Sequence, residues 1–163
     1  MAKPSVSAGA MDTIRTGDRD KAMAHAARLA DEGRTAMIQP YLDMVEAEGE
    51  TSLIYFGGRF SHAVRRNPML AGGVDPLDPE SSRAVELRTP EPDRFALAER
   101  VLGELPETLY ARVDPVRLAD GAPVLIEAEL TEPYLFLRHA PGAAANLARA
   151  LAEAVRAATK GQV

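Results

Sequence analysis

Small and apolar residues recur at Ala22, Ala26, Leu29 and Ala30 within residues 18–32 and stop at Gly33, a spacing that predicts a helix closed by a glycine. Residues 35–42 form a short apolar stretch broken by Pro40, which reads as a strand running into an extended connector. Strand-forming residues fill 51–56 and 59–66, and Gly57-Gly58 between them predicts a β-hairpin with a two-residue turn. Residues 67–92 hold five prolines and two adjacent glycines with little periodicity; a long loop is expected, with at most a short strand near 83–87. Phe95, Leu97, Ala98, Val101 and Leu102 then fall at helical spacing across 93–105, between Pro92 and Pro106. A second hairpin is expected from 109–118 and 123–130 around Asp120-Gly121, and Pro141-Gly142 introduces an Ala-rich helix reaching about Lys160. No segment repeats, and the order of elements predicts an α+β fold, an antiparallel sheet with flanking helices.

Pairing within the hairpins brings candidate chemistry together. If Asp120 and Gly121 are the turn residues, Asp114 lies opposite Glu127 and Arg112 opposite Glu129. Alternation then gathers Arg112, Asp114, Val116, Leu125, Glu127 and Glu129 on one face and leaves Ala111, Val113, Ile126, Ala128 and Leu130 to the core. Directly opposed carboxylates repel unless positive charge sits between them. A divalent cation would answer that need, and so would Arg112 with solvent; the spacing leaves both open. Pro115 cannot donate to a ladder, so a bulge near it would slip the register. The same arithmetic in the first hairpin places Glu50 opposite Arg65, beside Ser52, Ser61 and Ala63. It puts Thr51, Leu53, Tyr55, Phe60, His62 and Val64 on the other, largely apolar side. His62 is therefore expected to be a packed histidine. His25 and His139 read as helix-surface and loop residues, and the three together make no metal-ligand pattern.

Composition narrows the classes. With 46% apolar and 26% charged residues over 163 positions the chain is of globular type, and no apolar run is long enough to span a membrane. It has no cysteine, which excludes disulfides, thiolate metal sites and a thiol nucleophile. A formal charge of -5 argues against non-specific nucleic-acid binding, and the absence of a secretory pattern at the amino terminus points to the cytoplasm. Sixteen of the 19 basic residues are Arg, so the lysines at 3, 21 and 160 stand out.

The order of motifs resembles the carboxy-terminal portion of an ATP-grasp protein, of the actinobacterial stand-alone type related to amino-acid and peptide ligases. The matching pieces are Lys3-Pro4-Ser5-Val6-Ser7-Ala8-Gly9, Gln39-Pro40-Tyr41-Leu42, Gly49-Glu50-Thr51-Ser52-Leu53, the run 58–64, Tyr110-Ala111-Arg112-Val113-Asp114, and Glu127-Ala128-Glu129 with the four residues after it. The resemblance covers about residues 1–141. It implies residues 1–42 as part of the small ATP-binding lobe, with phosphate loop, helix and adenine hinge. Residues 43–163 would be the large lobe with the metal site and the last helix.

By that resemblance ATP is held between two α+β lobes. Lys3 matches the phosphate-contacting lysine, and Ser5 and Ser7 fall in the loop that closes over the phosphates. Gln39, Tyr41 and Leu42 lie in the hinge whose backbone reads adenine, and Glu50 matches the acid that binds ribose hydroxyls. Asp114, Glu127 and Glu129 match the ligands of Mg2+, or Mn2+, with Glu129 standing where many members carry Asn. Arg112 resembles the arginine that faces the γ-phosphate and the acyl phosphate made from it, and Arg65 and Arg66 would assist with phosphate charge, an ion pair with Glu50 being the alternative. The implied activity is ATP-dependent ligation of a small carboxylate to an amine, without a side-chain nucleophile. The substrate lobe and a second phosphate lysine of complete members have no counterpart here. The expectation is thus a partial enzyme, completed by an amino-terminal lobe or a second copy, or a non-catalytic nucleotide-binding remnant. A two-layer α+β protein without a ligand is the remaining alternative.

Overall fold

The computed structural model describes residues 1–7, 10–67 and 85–160, and the chain divides into two compact units. The first lies within Met1–Asp43. Strand β1 (Ala2–Pro4) pairs antiparallel with β2 (Ala36–Ile38), setting Lys3 opposite Met37, and helix α1 (Arg19–Asp31) lies between them in sequence. Asp18 caps α1 by accepting from the backbone N–H groups of Asp20 and Lys21. At the other end Gly33, with φ +74°, donates to Ala30 O while Arg34 N–H donates to Leu29 O, the paired bonds of a glycine-closed helix. Ala2 and Leu29 are fully buried in this unit.

The second unit begins with the short helix α2 (Met44–Glu48) and holds a five-stranded antiparallel sheet. Its strands are β3 (Glu50–Phe56), β4 (Arg59–Arg66), β5 (Glu86–Arg88), β6 (Tyr110–Arg117) and β7 (Pro123–Glu129), in the spatial order β5-β4-β3-β6-β7. Leu53, Tyr55, Ala63, Ala111 and Val113 face α3 (Pro92–Gly103), where Phe95, Ala98, Val101 and Leu102 complete one core. On the opposite face Ile54, Phe56 and Val64 pack with Phe136 and with Ala150 and Leu147 of α4 (Ala143–Lys160). Both faces of the central strands are thus buried, and the half of β3 nearest the turn, Leu53 to Phe56, is apolar throughout.

Both hairpins form, and each departs from two-residue arithmetic in an instructive way. In the first, Tyr55 pairs with Phe60 but Ile54 pairs with His62, so a β-bulge inserts one residue. Beyond it Glu50 lies opposite Arg66, not Arg65, and His62 and Val64 join the face of Ile54 rather than that of Leu53. Gly49, just before β3, has φ +73°, and a Cβ there would stand 2.4 Å from Arg66 O, so only glycine lets the two strands close at this end. In the second hairpin Leu118 N–H bonds Ala122 O, enclosing a three-residue loop, and a bulge beside Pro115 shifts the register back by one. The two departures cancel: Asp114 faces Glu127 and Arg112 faces Glu129 as expected, while Leu125 pairs with Pro115. Strand β7 lies at the sheet edge, so Ile126 and Ala128 are exposed instead of entering the core.

His62 is buried and fully bonded. Leu135 O can only accept, so Nε2–H donates to it at 3.0 Å. Nδ1 then accepts from the Ser61 hydroxyl, also at 3.0 Å, and the Ser61 oxygen accepts from Asn146. Burial lowers the imidazole pKa against a smaller raising effect of the Leu135 carbonyl. The folded chain then binds fewer protons than the unfolded one as pH falls below about 6.5, and stability declines there with no loss above it. The slope of unfolding free energy against pH, measured in urea from pH 7.5 down to 5.5, is expected to flatten in His62→Gln. An unchanged slope would assign that dependence to other groups.

Candidate active site

The candidate residues divide between the two units. In the first, Lys3 is half-buried on β1, and Ser5 and Ser7 follow it in exposed backbone. Ala8 and Gly9 of the expected phosphate loop lie outside the described residues. Beyond them the chain is anchored by Asp12, which has a left-handed backbone (φ 55°) and accepts from Arg28 at 3.0 Å and Arg34 at 2.6 Å. Those hydrogen bonds, Arg34's foremost, hold its carboxyl below the usual range, while the His25 ring bonds its backbone carbonyl. Sequence reasoning missed this anchor because a lone Asp in a small-residue stretch looks like any turn residue.

At the expected adenine hinge both backbone groups of Gln39 are engaged. Its N–H donates to Met1 O and its carbonyl accepts from the Met1 amino group, each at 3.0 Å. The Arg15 guanidinium lies 3.8 Å from the centre of the Tyr41 ring and pairs with Asp43 at 3.2 Å. Gln39 therefore extends the β1–β2 ladder.

In the second unit one sheet face collects the charged candidates, and it is the face that carries Phe136. Arg66, which the bulge turns onto it, bridges Glu50 at 2.7 Å and Asp114 at 2.9 Å through one Nη2. Arg65 belongs to the other side, where its Nε donates to Glu48 O. Next to Arg66, the Arg112 Nε donates to both oxygens of Asp114 at 3.0 and 3.1 Å. Its Nη2 reaches Glu127 at 3.1 Å and Glu129 at 2.5 Å. Asp114 is buried, with 1% of its side chain exposed, whereas Glu127 is 51% exposed.

Charge on this face does not balance. Glu50, Asp114, Glu127 and Glu129 supply four carboxylates, against the guanidiniums of Arg66 and Arg112. Desolvation, with the charges of Glu127 and Asp114, pushes the Glu129 carboxyl up to about 7 even though Arg112 pulls the other way. Burial works against the Arg112 charge, but Asp114, Glu129 and Glu127 outweigh it and keep the guanidinium protonated. Two buried polar atoms on this face, Ser52 Oγ and Arg66 Nε, have no hydrogen-bond partner. Among the described residues no three acidic or histidine side chains stand as a ready metal cage, since Arg112 takes the place between the carboxylates. The residues present nevertheless supply carboxylate oxygens in excess, the donor type a hard divalent cation takes.

This sheet, with helices on both faces and its charged pair of strands, is part of an ATP-grasp fold. It is 38% identical over 144 residues to the cycloserine biosynthesis protein DcsG of Streptomyces lavendulae, a match over 84% of this chain and 48% of that protein. The crystal structure of D-cycloserine synthetase DcsG superposes with a TM-score of 0.74 at 33% identity, over 93% of this chain and 54% of that one. The D-alanine–D-alanine ligase of Bacillus anthracis, solved with ATP, shares the fold at a TM-score of 0.61 and 17% identity, over 90% and 50% of the two chains. No family model matches the sequence. The chain spans about half the length of the relatives it matches, and those relatives are ligases. Among the described residues no helix is long and apolar enough to cross a membrane.

Proposed function

We propose that this chain is the ATP- and Mg2+-binding portion of a carboxylate–amine ligase that works through an acyl phosphate. The observation that carries the reading is the convergence of Asp114, Glu127 and Glu129 on Arg112, with negative charge left over, on the strands where the ATP-grasp resemblance expects a metal. Asp114, Glu127 and Glu129 would hold Mg2+, or Mn2+ in its place, which when bound neutralises phosphate charge. Lys3, with Ser5 and Ser7, would contact the phosphates, Tyr41 and Leu42 would present backbone to adenine, and Glu50 would take the ribose hydroxyls. Of Arg65 and Arg66, both expected to assist with phosphate charge, Arg66 would do so here, because the bulge in β3–β4 puts it beside Asp114.

The reaction is in-line transfer. A substrate carboxylate oxygen bonds to the γ-phosphorus as the bond to ADP breaks, and an amine then attacks the acyl carbon and expels phosphate. Arg112, already gripped by three carboxylates, is poised to exchange them for γ-phosphate oxygens and stabilise the charge that develops there. The carboxylate and amine partners, and any completing lobe or second copy, belong to the same proposal. DcsG, named for D-cycloserine synthesis, makes a small amino-acid-like carboxylate the first class to try.

Isothermal titration of the purified chain with ATP tests this directly. Binding is expected with Mg2+ present, lost when EDTA removes it, and weakened about tenfold or more by Glu127→Gln, whose half-exposed side chain can change without unsettling the core. ATP affinity indifferent to both Mg2+ and Glu127→Gln would sink the reading.

A further inference from the structure

Phe136 is the only aromatic residue with a left-handed backbone among the described residues, at φ 51° and ψ 33°. A bulky side chain in that region is strained, and such strain persists where the surroundings over-determine it. Here they do. The residue is 3% exposed and lies in the core with Ile54, Phe56, Val64 and Ala150, and the Tyr134 ring meets it edge-on at 4.8 Å. Immediately before it, Leu135 O accepts from His62. Its own carbonyl accepts from His139 N–H at 3.0 Å, opening a short 3-10 turn over Leu137–His139. The segment is thus pinned on both sides of one strained residue.

What the pinning achieves is to lay the ring under Arg66. The Arg66 Cζ stands over the Phe136 ring, 5.7 Å from its centroid, within cation–π range. Arg66 needs such a restraint: its ion pair with Glu50 and its hydrogen bond to Asp114 run through one Nη2, and its buried Nε has no hydrogen-bond partner. We propose that Phe136 is a positioning residue for Arg66, its ring holding the guanidinium in the bridge between Glu50 and Asp114 and so presetting the charge of the nucleotide site. The inference rests on the proposed function only for the meaning of that charge; the positioning can be read in the ligand-free protein.

The test follows Arg66 by NMR in the ligand-free chain, as the exchange rate of its Nε–H, together with MgATP affinity by titration calorimetry. Phe136→Leu keeps apolar bulk and loses the ring, while Phe136→Tyr keeps the ring. Leu is expected to speed Arg66 Nε–H exchange about tenfold and weaken MgATP about threefold, with Tyr restoring both to near wild type. If Leu does not fold, Phe136→Met, unbranched and adaptable, carries the same expectation. Unchanged exchange at Arg66 without the ring would overturn the inference. So would equal losses in Leu and Tyr, which would make Phe136 merely a core residue. Should wild type itself show no Mg2+-dependent ATP binding, the functional reading fails, and the exchange measurement still decides whether Phe136 positions Arg66.

Discussion

Asp114→Asn is expected to cost the chain both its Mg2+-dependent affinity for ATP and about 3 kcal/mol of stability. Asp114 accepts from two guanidiniums, Arg66 and Arg112, and is itself buried. Asn keeps the shape and one acceptor oxygen but not the charge, so two buried cations lose their shared counterion. Breaking a buried pair costs ~3–5 kcal/mol, and Glu50, Glu127 and Glu129 remain to take part of the load, which places the effect at the low end. For a chain of this size that is a fall in melting temperature of roughly 6–12 °C, readable by calorimetry. At temperatures where the variant is still folded, MgATP affinity should fall about a hundredfold. A variant that melts with wild type and binds MgATP equally well would contradict both the buried role and the metal role of Asp114.

Arg94→Ala should be the most destabilising single change outside that face, at about 4 kcal/mol. Arg94 lies in the first turn of α3 with 1% of its side chain exposed. Its guanidinium donates to Glu48 and to Thr51 Oγ1, and it also pairs with Glu91 at 3.3 Å. Alanine removes these bonds and leaves a cavity between α2, α3 and β3. Arg94→Met separates the two contributions. It fills most of the volume, and Glu48, partly exposed, keeps water and Arg117 within reach, so its loss should be about half as large. Urea denaturation of the two variants checks this; equal losses would mean that charge, rather than packing, dominates at Arg94. Close by, the two hydrogen bonds from Arg117 pull the exposed Asp93 carboxyl down to about 2, so Asp93 stays ionised through the physiological range.

The five strands of the sheet and the helices α1, α3 and α4 were legible in the sequence because each follows from local chemistry, whereas the short α2 was not read there. Gly33 closes α1, Gly57-Gly58 turn the first hairpin, and the apolar spacing of α3 needs only the helix period. The pairing of Asp114 with Glu127 was legible too, although by cancellation. The loop holds one residue more than assumed, and the bulge beside Pro115, for which the missing donor was the clue, restores the register. The bulge between Ile54 and Tyr55 left no such clue. A bulge is set by how two strands twist against their neighbours, so the choice between Arg65 and Arg66 could not be read from spacing. Arg94 was hidden for a related reason: an arginine in an amphipathic helix looks solvated until its carboxylate partners, far away in sequence, are brought to it.

By itself, then, the chain's order of residues determined which segments become strands and helices, where they turn, and that carboxylates would meet across β6 and β7. Those outcomes depend on periods of a few residues and on the backbone freedom of particular glycines and prolines. The tertiary structure decided which cation stands among those carboxylates, which of two adjacent arginines faces them, and which aromatic ring lies beneath it. Each of these turns on a one-residue register shift or a strained dihedral angle, and such features are selected by packing and charge among groups distant in sequence.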